Sequence, residues 1–237
     1  MIISIPLAWL QLAHQRVRFL ATLGGIAFVV ALLFIQLGFQ EALFESSVRL
    51  HQSLRGVLFL ISSQYKALTS QHSFPRARLY QALAIDEVES ISPLYVQFGK
   101  LKNIETRQKY PIFILAIDPA TSPFNLTEVN QNLDKIKIPD VGIFDRDSRP
   151  EFGPVAEKFE RGEKVTLEIS PFNEVTVANR FKIDGLFSLG PSFGVDGNLI
   201  TNYSTFLSMF EDRRARDDPN GLRWPIVRHD QRRVDDR

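Results

Sequence analysis

The chain has no cysteine, two methionines, four histidines and almost no excess of either charge, with 28 basic and 27 acidic side chains in 237 residues. Zero cysteine excludes disulfide frameworks, thiolate zinc sites, iron–sulfur clusters and cysteine nucleophiles, although it does not name a compartment. A formal net charge of +1 excludes a strongly basic nucleic-acid binder and a highly acidic chain. At 44% hydrophobic the chain is too apolar to be disordered throughout, and its length allows one large domain or two small ones.

Familiar chemical motifs are missing as well. There is no G-x-x-x-x-G-K-[ST] phosphate loop. The glycines of GPSFGVDG (190–197) have the wrong spacing for a dinucleotide fingerprint, with Pro191 where backbone donors would be needed, and read better as a turn between strands. His14, His51, His72 and His229 are scattered, and neither H-E-x-x-H nor a G-x-S-x-G elbow occurs. Asp145-Arg146-Asp147 opens like a calcium loop, but Pro150 stands at the sixth position and Ala156 at the twelfth, so these charges read as a solvated turn. Asp86, Glu87 and Glu89 sit at a helix-to-strand handover with no sign of a pocket for acid–base work. The expectation is a protein without catalytic residues, cofactor or metal.

What the chain does contain is one long apolar run. No Asp, Glu, Lys, Arg or His occurs between Arg18 and Glu41, and 16 of the 21 residues from Phe19 to Phe39 are Ala, Val, Ile, Leu or Phe. As a helix this segment would extend about 32 Å, enough to cross a hydrocarbon core of about 30 Å. In lipid the backbone must satisfy its own hydrogen bonds, which dictates a helix. A soluble core helix would be shorter or carry a polar stripe. A cleaved signal would have a shorter apolar region and a small-residue cleavage site, which QEALFES does not offer. The expectation is an uncleaved span.

Upstream, residues 1–18 place Ile5, Trp9 and Leu12 at helical spacing, with Arg16 and Arg18 against the span. That fits an interfacial helix with Trp9, Arg16 and Arg18 as membrane-interface anchors. Arg16 and Arg18 on one side against Glu41 and Glu45 on the other favour a cytoplasmic N-terminus, a bias weakened by Arg49 and Arg55. Gly24 and Gly25 would admit a close partner helix and Gln36 would hydrogen-bond across to it, although glycine is also simply common in membrane helices.

Residues 41–210 hold 20 acidic and 18 basic side chains, and their longest apolar pieces, VLFLI (57–61) and IFILAI (112–117), are strand-sized. The pattern predicts a helix continuing to about Leu54, a buried strand at 57–61 and a helix at 76–84 after Pro75. Further strands are predicted at 88–98 (interrupted at Pro93), 100–107, 110–117, 141–144, 165–169, 174–177, 180–187 and 199–202. Turns are predicted at 171–173 and at Asp184–Gly185, a polar connector at 125–132, and helices at 154–160 and 203–210. The fold class is α+β on a single N-terminal transmembrane helix. From residue 211 the usage changes: eight Arg, no Lys and seven acids in 27 residues, without a helical or strand period. This reads as a disordered or foreign tail, and its balanced charge argues against a nucleic-acid arm.

Read together, IPLAWLQL, then LATLGGIAFVVALLFIQLGFQEALFESS, then RGVLFLISSQYKAL resemble the start of the DevC family of cyanobacterial ABC-exporter permeases, related to the MacB and FtsX type. The likeness continues through FNLTEVNQNLDKIKIPDVGIFDRDSRPEFGPVAEKFERG and FKIDGLFSLGPSFGVDGNLITNYSTFLSMF, covering about residues 1–212. The resemblance implies a cytoplasmic segment 1–18, a span 19–39, a MacB-like periplasmic domain 40–212 and an inner-membrane location. It implies work with a separate ABC ATPase and a periplasmic membrane-fusion protein, indirectly with an outer-membrane channel, exporting substrates such as envelope glycolipids. Relatives act as dimers and carry three further spans. Here the Arg-rich segment 213–237 stands in their place, so a frameshift or truncation is the expectation, with a genuine short paralogue as the alternative. In that reading the helix continued into Glu41–Leu54 carries motion out of the membrane. The second reading is a single-pass anchored binding or scaffold protein, which the residues alone fit equally well.

Overall fold

A computed structural model describes residues 16–56, 58–60, 74–86, 88–171, 178–190, 196–210, 221–222 and 224–229. The chain divides into two compact units, Met1–Ser47 and Val48–Arg237. The first is dominated by helix α1, Arg16–Gln52, whose last turn belongs to the second unit. Within α1, the 30 residues Val17–Ser46 reach a mean hydropathy of 2.4, and the apolar window is entirely unburied. Leu20, Phe28, Phe34 and Leu37 are each at least 60% exposed, so their apolar surface has no cover among the described residues. The span predicted at 19–39 is thus a helix, and its helical continuation past Glu41 is present as well.

The second unit follows the order β1 (Leu58–Phe59), β2 (Phe74–Pro75), α2 (Arg76–Leu83), β3 (Val88–Lys102) and β4 (Lys109–Ile117). After a short 3₁₀ turn at Pro119–Thr121 come α3 (Thr127–Gln131), α4 (Leu133–Ile136), β5 (Val141–Asp145), a second 3₁₀ turn at Pro150–Phe152 and α5 (Val155–Glu160). The series closes with β6 (Val165–Pro171), β7 (Asn179–Phe187), β8 (Asn198–Asn202), α6 (Tyr203–Met209), β9 (Gly221–Leu222) and β10 (Trp224–His229).

Eight strands form a mixed sheet in the order β1-β10-β3-β4-β8-β5-β7-β6, and β6 pairs again with β3. Six of them therefore make a closed ring of pairings, leaving β1 and β10 as a wing outside it. Two pairings, β4–β8 and β5–β7, are parallel, and the others are antiparallel. Strand alternation sorts the core into two clusters. Ile112, Ile114 and Ala116 of β4 join Leu167, Ile169, Phe181 and Phe206 on one face. Phe113, Leu115 and Ile117 join Leu54, Phe124, Val129, Ile136 and Ile200 on the other. Because both faces of β4 are covered, its sequence is a continuous apolar run rather than an alternating one.

The α+β architecture and most elements agree with the sequence pattern, and the departures have physical causes. Pro93 does not interrupt β3, which runs as one 15-residue strand. β4 pairs with it only from Leu94 onward, so Pro93 has a neighbour on one edge alone and its missing N–H leaves no ladder partner orphaned. The buried strand expected at 57–61 is a two-residue edge strand in which Leu58 is 53% exposed. The connector at 125–132 contains helix α3, because Val129 is fully buried beneath it. Asp184–Gly185 lies inside β7: Gly142 faces Ile183 and Ile143 faces Gly185, so Asp184 is the extra residue of a bulge.

Segment 213–237 contributes strands β9 and β10 among its described residues. Backbone pairing joins β9 to β2, and β10 to β3 and β1. A strand of Trp, Ile and Val suits an open edge, and that edge rewards backbone donors and acceptors without requiring an amphipathic period. The strand expected at 174–177 lies outside the described residues.

Candidate functional site: the exposed apolar helix and the buried Asp145 cluster

The candidates on the first unit all belong to one helix or its approach. Trp9 lies outside the described residues. Arg16 is the first residue of α1, and Arg18, two residues on in the same turn, is exposed. A Cβ built at Gly24 or Gly25 meets nothing within 4 Å, and Gln36 is exposed. At about 100° per residue Gly25 and Gln36 fall within about 20° of each other, three turns apart, whereas Gly24 is rotated about 100° away. The helix therefore places Gly25 and Gln36 on one stripe and separates Gly24 from it. Among the described residues no atom lies within 4 Å of a Cβ built at either glycine.

The second unit holds a polar cluster that sequence reasoning missed. Asp145 ends β5, all five residues of which are buried, and is itself 0% exposed. Its carboxylate accepts four N–H donors. Oδ1 takes the backbone amides of Asp147 and Leu189, both at 3.1 Å. Oδ2 takes the amide of Gly190 at 2.9 Å and Nδ2 of Asn198 at 2.7 Å. Asn198 also donates to the Gly190 carbonyl at 2.9 Å. Burial raises the Asp145 pKa above its ordinary value, while the bonds from Asn198, Leu189, Asp147 and Gly190 oppose that rise. Far from being a solvated turn charge, Asp145 is the internal brace of the chain that follows β7 and re-enters β8. The available signal was a carboxylate closing the apolar run VGIF, where solvation was least to be expected.

Around this brace the neighbouring charges pair off at the surface. Arg146 Nη2 lies 2.9 Å from Glu128 Oε1, Arg149 Nη1 lies 3.3 Å from Asp196 Oδ1, and Ser188 donates to Asp147. Backbone bonds Arg146 N to Phe187 O (2.9 Å) and Arg149 N to Asp196 O (2.8 Å) fix both ends of the loop. Gly190 has φ of +83°, and a Cβ there would stand 2.6 Å from Arg49 Nη1, so the last turn of α1 packs against the same loop. Among the described residues no group of three or more His, Asp or Glu is placed to hold a metal ion. The cluster contains acceptors met by donors and no nucleophile–base pair; what it does is hold a loop in place.

No family model matches the chain, and no curated protein matches it. Solved structures do show a likeness. The extracellular domain of the noncanonic ABC-type transporter YknZ from Gram-positive bacteria aligns at 12% identity over 74% of this chain and 82% of its own, with a TM-score of 0.40. The periplasmic region of MacB from Actinobacillus actinomycetemcomitans aligns at 11% identity over 68% of this chain and 67% of its own, with a TM-score of 0.38.

Proposed function

We propose that the chain is a permease subunit, or a portion of one, of an ABC-type exporter of the DevC kind. A single observation carries the reading: an unburied apolar helix, Val17–Ser46, leads into an α+β domain, in the order implied by the sequence passages that resemble that family. In this reading α1 lies in the inner membrane with Trp9, Arg16 and Arg18 at a cytoplasmic interface, and the second unit is periplasmic. A separate ATPase supplies the energy, and a periplasmic membrane-fusion protein receives the cargo, an envelope glycolipid. Gly25 and Gln36, on one stripe of α1, face a partner helix, and Gly24 lies outside that stripe. The chain's own part is mechanical: helix α1 continues past the apolar window to Gln52 and provides a stiff lever for a conformational cycle.

The test is copurification of the tagged full chain from its native membrane in mild detergent, with the bound proteins identified. Recovery of one ABC ATPase together with one membrane-fusion protein in fixed ratio supports the exporter reading. A chain recovered without either, yet retained in the membrane, supports the single-pass anchored binding or scaffold reading instead.

A further inference from the structure

A pocket of ≈ 330 Å³ opens in the second unit between the residues just after α1, the start of β3 and the segment from Pro119 to Leu133. Its walls are held by backbone. Arg55 N donates to Pro123 O at 2.8 Å, Asn125 N donates to Ser53 O at 2.7 Å, and Leu54 bridges Phe124. Ser90 and Ser92, two residues apart on β3, present their side chains to the same face. Thr121 comes from the 3₁₀ turn, while Pro123 and Leu133 supply apolar wall.

The polar groups here are open to solvent, with Arg55 and Thr121 exposed and Ser90 and Ser92 half-buried. Among the described residues the Arg55 guanidinium and the hydroxyls of Ser90, Ser92 and Thr121 have no side-chain hydrogen bond or ion pair. No Asp or Glu among the described residues lines the pocket. Its described lining thus carries one permanent positive charge, Arg55, ringed by hydroxyls that can donate or accept, while the Asp118 carboxylate beside it is engaged by Ala120 N at 2.9 Å. The volume lies at the small end of the range for small-molecule sites, about 300–1,000 Å³. A cation would be repelled by Arg55, and a wholly apolar ligand would displace water from four polar groups without replacing its hydrogen bonds. An anion on a hydroxylated carrier satisfies all four.

We propose that this pocket binds a small hydroxylated oxyanion, a carboxylate or phosphate carried on a polyol, with Arg55 taking the charge and Ser90, Ser92 and Thr121 taking the hydroxyls. The carrier is either a soluble molecule or the head group of an anionic lipid. The inference does not depend on the exporter reading, since it concerns one pocket of the second unit whatever its partners.

The full chain in phosphatidylcholine nanodiscs, titrated calorimetrically with glucuronate, glycerol phosphate and glucose, tests this. Glucuronate and glycerol phosphate give saturable heat, glucose binds at least tenfold more weakly, and Arg55→Gln weakens both anions about tenfold or more. Ser92→Ala weakens them by a few-fold. Neither variant shifts the thermal midpoint, because neither side chain has a hydrogen-bond or ion-pair partner among the described residues. Replacing the lipid with phosphatidylglycerol separates the sources: suppressed glycerol phosphate heat identifies a lipid head group as occupant, and unchanged heat identifies a soluble ligand. Absence of saturable heat with both anions, glucose binding as tightly as glucuronate, or an unchanged titration in Arg55→Gln overturns the proposal.

Discussion

Asn198 joins the two sides of the buried cluster, with Nδ2 donating to Asp145 Oδ2 at 2.7 Å and to the carbonyl of Gly190 at 2.9 Å. One amide thus ties the end of β5, the loop after β7 and the first residue of β8. Every donor around Asp145 is an N–H, which can give a proton but cannot accept one.

Asp145→Asn therefore turns one acceptor oxygen into an amide that faces donors. The expected cost is about 2–3 kcal/mol of stability, the penalty of a buried, unmet polar group. Urea unfolding of the full chain in detergent measures it. Asp147→Asn, at an exposed site bonded to Ser188, is the control and should cost under about 1 kcal/mol. Equal effects would show that Asp145 is not the brace.

The pH dependence has a definite sign. Asp145 is an acid whose folded-state pKa lies above the ordinary carboxylate value, with desolvation as the main cause. Between the two values the folded state binds more protons than the unfolded state. Its contribution to stability is then full below the unfolded pKa and lost as pH rises through the folded one. Glu168 works the other way: the hydrogen bond and charge of Lys102, 2.9 Å away, lower its pKa. Its contribution is present above the unfolded value and is lost as pH falls through the folded one. Asp145→Leu and Lys102→Met should each flatten a different limb of the stability–pH curve, read as thermal midpoint from pH 3 to 8.

Gly190 has a left-handed backbone with Arg49 Nη1 2.6 Å from a built Cβ, whereas Gly162 has a similar φ of +81° and open space around it. Gly162→Ala should cost only the backbone strain, about 1 kcal/mol. Gly190→Ala should cost a little more, because the tip of the flexible Arg49 side chain must swing aside, and that small excess should vanish in an Arg49→Ala background while the backbone strain remains. A double-mutant cycle in urea reads the difference.

Val29 lies at the centre of the apolar run, on a helix unburied along that window. Val29→Lys raises the insertion cost by about 2.5–3.5 kcal/mol. Alkaline carbonate extraction should release a larger fraction of this variant than of the parent chain, while Val17→Lys, at the polar end beside Arg16 and Arg18, should stay in the pellet. Equal retention of Val29→Lys would argue against α1 crossing the bilayer.

The elements whose period is unambiguous were legible from residues alone. The charge-free stretch between Arg18 and Glu41 gives α1, and IFILAI gives β4, because a run apolar on both faces has few places to go. Position within the sheet was not legible. Pro93 marks a break only if the strand has neighbours on both edges, and β3 lacks one there. The dipeptide Asp184–Gly185 has turn chemistry, yet β5 pairs past it and makes a bulge. Asp145 was misread because local polarity suggests solvent, while its burial follows from Leu189, Gly190 and Asn198, more than 40 residues away in the chain. Long-range donors leave no mark near the residue they satisfy.

β3 belongs both to the closed ring and to the wing, with β10 and β6 taking successive stretches of one edge and β4 the other. Its 15 residues span about 50 Å at about 3.3 Å per residue. Ladder bonds in antiparallel pairs run perpendicular to the strands. Tension applied along β3 is consequently shared by a row of bonds loaded in shear, which must fail together, whereas the same tension across the β1–β10 wing would open its bonds one at a time. The second unit thus has a stiff direction and a soft one, and a mechanical load would peel the wing before it stretched the ring.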